Sequence, residues 1–122
     1  MKRDMNLIRD ILLAAEAQDP LAENPGPFEI AGVDPRVFAR HVELLVDAGL
    51  LRAHVISSDQ TGPLNAILDQ LTWNGYEFLD AARDDTAWHK GLTVVKEKAG
   101  AVSFEVLKLY LVAQAKALIG IP

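Results

Sequence analysis

The stretch that decides the fold is residues 34–50, DPRVFARHVELLVDAGL. Asp34 is a capping residue, and Pro35 holds the first helical position, where a missing N–H costs nothing. Gly49 stands where a left-handed residue ends a helix at little steric cost. Between them Val37, Phe38, His41, Val42, Leu44, Leu45 and Ala48 recur at helical spacing and predict one inward face. Arg36, Ala39, Arg40, Glu43 and Asp47 then face outward. The helix runs directly into LLRAHVIS (50–57), which reads as a strand. SDQTGPLNA (58–66) reads as a turn-rich loop, and ILDQLT (67–72) as the returning strand of a hairpin.

Upstream, residues 3–18 predict a helix with Met5, Ile8, Ile11, Leu12 and Ala15 on one face. Asp4 suits the positive end of its dipole, and Asp19–Pro20 stops it. PLAENPGPFEIAGV (20–33), with three prolines and two glycines, is a loop. FEI (28–30) is a candidate edge strand within it, and there is room for no more than a turn of helix before Asp34. Downstream, Thr72 is expected to cap a helix through about Arg83, with Trp73, Tyr76, Leu79 and Ala82 on one face. Asp84 or Asp85 caps the next, about 86–98, where Trp88, Leu92, Val95 and Ala99 recur before Gly100. Ser103 caps a last helix, 104–119, which Gly120 ends.

The last helix is apolar nearly all round, which predicts burial on more than one side. One row, Leu107, Leu111, Gln114 and Leu118, is expected to close the core. A second row, Val106, Leu109, Ala113 and Ala117, is expected to meet a second copy as an antiparallel pair, giving a homodimer.

A length of 122 residues, half of them hydrophobic, suits one domain with a real core. No cysteine is present, so disulfides and thiolate sites are excluded. The start, MKRDMNLIRD, is charged throughout and does not read as a signal peptide. Lys108, Gln114 and Lys116 break the most apolar segment, so no membrane span and a cytoplasmic location are expected. The net charge is -5, and the acidity lies in residues 1–72, which hold six Lys or Arg against eleven Asp or Glu. That half contains the decisive helix, and its charge opposes long-range attraction to DNA.

The order of helix, short strand, helix ending in AGL, hairpin and then LTWNGYEFL resembles bacterial winged-helix proteins. MKRDMNLIRDIL, HVELLVDAGL and above all LTWNGYEFLDAARDDTAW are similar to a family of small uncharacterised proteins, often prophage-associated. Tyr76 stands where many relatives carry His, and the proline loop and hairpin tip are the least similar parts. The resemblance covers nearly the whole chain. It implies an α+β, mostly helical winged helix-turn-helix with a short second helix and added C-terminal helices. The expected layout is a single domain, 1–122, with a winged-helix core at about 1–83 and a helical extension at about 84–122. The resemblance carries no activity and no site residues.

In such a fold Arg36 and Arg40, one turn apart near the start of the decisive helix, are the residues placed to reach DNA bases or phosphates. Arg52, Lys2 and Arg3 would add phosphate contacts if the fold brings them to the same face. Against this, Arg40 can pair along the helix with Glu43 or Asp47, and the hairpin tip has no Lys or Arg. Two functions therefore stand side by side: a DNA-binding or regulatory accessory factor of phage or prophage origin, its partner double-stranded DNA, and a winged-helix protein-interaction module without DNA binding, its partner an unknown protein. No catalytic residue, metal or cofactor is expected. His41, His54 and His89 lie on different elements with no ligand spacing, and no phosphate loop, G-x-S-x-G or dinucleotide fingerprint is present. Asp80, Asp84 and Asp85 form the one carboxylate cluster that could suggest a metal site or an acid-base pair, and helix capping explains Asp84 and Asp85 without a ligand. Trp73 and Trp88 are read as core residues rather than a base-stacking platform.

Overall fold

The computed structural model describes residues 1–18, 21 and 30–121. These form five helices and one two-stranded antiparallel sheet: α1 (Met5–Ala17), α2 (Pro35–Asp47), β1 (Leu51–Ser58), β2 (Gly62–Leu71), α3 (Trp73–Ala82), α4 (Asp85–Ala99) and α5 (Phe104–Leu118). The class is mixed α+β and mostly helical, as expected. The chain divides into two compact units, Met1–Tyr76 and Glu77–Pro122. The division falls inside α3, earlier than the boundary expected after residue 83. The expected Asp19–Pro20 stop, most of the proline loop and the short second helix expected there, and Phe28 and Glu29 of the proposed edge strand lie outside the described residues; Ile30 is not in a strand.

In the first unit α1 packs on α2 and β2, and α2 packs on both strands. The Asp4 side chain caps α1 through the Asn6 and Leu7 N–H groups, at 2.9 and 3.2 Å. Ile11 and Leu12 are fully buried, each contributing about 1.5–3 kcal/mol. On α2, Phe38, Ala39, His41, Val42 and Leu45 are buried. Ala39, expected outside, is fully buried, because a helix touching three elements needs a wider inward face. Ala48, expected inside, is the exposed C-cap. Gly49 follows at φ 75°, the left-handed end the sequence predicts.

The hairpin is longer than expected. Its loop is only residues 59–61, and Gly62 at φ 74° supplies the left-handed residue typical of a three-residue connection. Gly62, Pro63, Asn65 and Ala66, expected in the loop, pair with β1. Two register shifts leave Asp69 and Leu64 as extra residues on β2. The first has a clear effect: Ala66 and Leu68 are buried at period two, and the bulge at Asp69 resets the parity so that Leu71 is buried as well. Leu51 and Ala53 on β1 stand opposite Leu71 and Leu68.

In the second unit Phe78 packs edge-on against Trp88, with ring centroids 6.2 Å apart, and lies 4.6 Å from Phe104. Asp84 caps α4, Gly100 ends it at φ 78°, and Ser103 caps α5. α4 packs on α5 at Gly91, where a Cβ would stand 3.2 Å from Leu107 and Tyr110 side-chain atoms. Only Leu107 and Leu111 of α5 are buried. Gln114 and Leu118, expected to continue that row into the core, are exposed.

Candidate functional site

The expected DNA-facing residues all lie in the first unit. Arg36 and Arg40 are exposed on α2, but each is held by a carboxylate of its own segment. Asp34 accepts from the Arg36 backbone N–H at 2.8 Å and from its guanidinium at 3.4 and 3.3 Å. The Arg36 side chain, then its backbone N–H, hold the Asp34 carboxyl below its ordinary value. Arg40 pairs with Glu43, as the spacing predicts. Arg52 is exposed on β1 opposite Gln70. Lys2 and Arg3 are exposed just ahead of Asp4, whose backbone N–H donates to His41 Nε2 at 2.9 Å. That bond brings the start of the chain alongside the middle of α2.

His41 is fully buried and its ring is satisfied at both nitrogens. Nδ1 lies 2.8 Å from the Val37 carbonyl and Nε2 accepts from Asp4. This pattern requires the neutral tautomer with its proton on Nδ1. The ring is a structural clamp between α1 and α2, on the inward face that the helical spacing predicts. His54 and His89 are exposed. Among the described residues no group of His, Asp and Glu could hold a metal. Asp80 is paired with Arg83 at 2.9 Å, and Asp84 caps the Ala87 N–H at 2.7 Å. Among the described residues no helix is long and apolar enough to cross a membrane.

The residue that sequence reasoning misplaced is Trp73. It is 78% exposed, and Tyr76 is 44% exposed. The buried positions of α3 are Gly75, Phe78, Leu79 and Ala82, which set a phase opposite to Trp73. The reason lies at its first turn. Thr72 Oγ accepts from Gly75 N–H at 3.0 Å, capping α3, and donates to the Gly49 carbonyl at 2.6 Å. A Cβ on Gly75 would stand 2.0 Å from the Leu50 carbonyl oxygen. A glycine at 75 therefore lets α3 start against the end of α2, and this turns Trp73 outward. The available signal was Gly75 inside TWNGY, a glycine in a helix interior where close backbone approach is the usual cause.

Residues 2–101 match the family described as Hypothetical protein (DUF2513). The chain belongs to that family. It is also 36% identical over 108 residues to a Haemophilus influenzae protein described as an uncharacterized protein, a match covering 88% of this chain and 90% of the relative. No solved structure matches. The family assignment agrees with the uncharacterised family that the LTWNGYEFLDAARDDTAW stretch implies, and α5 lies beyond the residues the family match covers.

Proposed function

We propose that the first unit is a winged helix acting as a protein-interaction module, in a cytoplasmic regulatory accessory factor of phage or prophage origin. Helix α2 running into a β-hairpin, with α1 packed across it, supports the winged-helix reading. The observation that carries the function is the exposed Trp73 on a capped, backbone-locked helix start, with Tyr76 exposed one turn along the same helix. Tryptophan and tyrosine anchored on rigid elements are the side chains that most often dominate protein interfaces. The charge supports the same reading: the cations of α2 are matched by Asp34 and Glu43, and the unit carries an acidic excess.

A DNA-binding reading rests on a different observation, the exposure of Arg36, Arg40 and Arg52 with Lys2 and Arg3 brought alongside α2. Few cations would contact phosphate, so such binding would be weak and steeply salt-dependent. One experiment separates the two. A photo-crosslinking residue replaces Trp73 in cells, and the purified protein is titrated with duplex DNA at low salt by fluorescence anisotropy. The protein reading expects a discrete crosslinked protein that disappears with Tyr76→Ala, and no duplex binding. Duplex binding that the double change Arg36→Ala, Arg40→Ala abolishes, without a crosslinked protein, would replace it with the DNA reading.

A further inference from the structure

α5 has two opposed faces. Leu107 and Leu111 are buried, whereas Leu109, nearly half a turn round, is 68% exposed. Leu109, Val112, Ala113, Lys116, Ala117 and Ile121 border a shallow apolar depression of about 470 Å³. Beyond it Leu118 and Ile119 are 87% and 72% exposed. At about 100° per residue, Glu105, Leu109, Val112 and Lys116 fall on one narrow stripe through this face. An acid stands at its N-terminal end, a base at its C-terminal end, and two aliphatic residues lie between them.

We propose that this stripe pairs with the same stripe of a second copy, antiparallel, about a two-fold axis passing between residues 110 and 111. A two-fold interface requires that if one position meets another, the reverse contact also forms. About this axis Glu105 of each copy meets Lys116 of the other, and Leu109 of each meets Val112 of the other. A parallel pairing would set Glu105 against Glu105 and Lys116 against Lys116. The charge order along the stripe therefore selects both the occupant and the direction, and opposed helix dipoles agree with it. Ala113 and Ala117 flank the stripe and permit close approach of the backbones. The seam lies one row round from the Val106, Leu109, Ala113 and Ala117 row expected from periodicity and shares Leu109 with it. This pairing uses the second unit only and is independent of what the first unit binds.

A single seam between fifteen-residue helices is at the small end of specific interfaces, so the dimer is weak and concentration-dependent. Sedimentation equilibrium of the full chain, from low micromolar to submillimolar concentration, should show the mass rising from one chain toward two. Leu109→Glu should give a folded monomer with an unchanged circular dichroism spectrum, while Leu111→Glu damages folding. Glu105→Lys and Lys116→Glu should each weaken self-association by roughly tenfold, because each change acts twice. Mixing the two single variants should restore association as a heterodimer, since both ion pairs re-form. A monomer at every concentration overturns the proposal and leaves the stripe to another occupant. A dimer that survives Leu109→Glu, or a mixture that does not associate, overturns it equally.

Discussion

α2 and α5 are close in length, and each begins on a side-chain cap, Asp34 and Ser103. They differ in what becomes of their surfaces. Five residues of α2 are buried against three elements, its two arginines are paired with Asp34 and Glu43, and its end is tied to α3 through Gly49 and Thr72. α5 buries two residues and leaves Leu109, Leu118 and Ile119 in solvent. In a helix with a distinct polar face the sequence assigns inside and outside. In a helix apolar all round it leaves the choice to the neighbours, and the surplus face becomes available for binding.

The most severe way to break this contrast is at the tied end of α2. Gly75→Ala places a Cβ 2.0 Å from a backbone oxygen rather than a yielding side chain. It should cost about 3 kcal/mol or more, measured by denaturant unfolding; a loss close to that of an ordinary surface change would remove the junction from the account. Next, Leu45→Ala on α2 and Leu111→Ala on α5, both at buried positions, should each cost about 2–4 kcal/mol. Leu118→Ala, at an exposed one, should stay within about 0.5 kcal/mol at protein concentrations below dimerisation. Equal losses at Leu118 and Leu111 would mean that α5 is buried along its whole length.

The smallest effect sharpens the comparison at the helix starts. Arg36 holds the Asp34 carboxyl below its ordinary value, so the folded state favours the charged form. That contribution is complete above the unfolded carboxylate value and is lost as pH falls through the lower folded value. The stability difference between the unmodified chain and Asp34→Asn should therefore shrink on acidification. A difference that grows in acid would contradict the cap.

What was legible in the sequence was local. Asp34, Thr72, Asp84 and Ser103 were readable as caps because a cap bonds N–H groups two or three residues away. The phase of α3 was not, since the row Trp73, Tyr76, Leu79, Ala82 and the true face Gly75, Phe78, Leu79, Ala82 share two members. Only the approach of Leu50, twenty-five positions earlier in the chain, separates them. The bulge at Asp69 was hidden for the same reason, because register belongs to a pair of strands. On the candidate site, the pairing of Arg40 with Glu43 was readable from spacing, whereas the exposure of Trp73 required the junction.

The clamp between His41 and Asp4 also bears on how the chain assembles. It joins positions 37 apart, so α1 acquires its fixed place only after a long loop has closed, although its cap can form at once from neighbouring residues. Closure entropy grows only with the logarithm of loop length, about 0.6 kcal/mol for each doubling. Extra residues inserted between α1 and α2 should therefore slow the docking of α1 more than they weaken the finished fold.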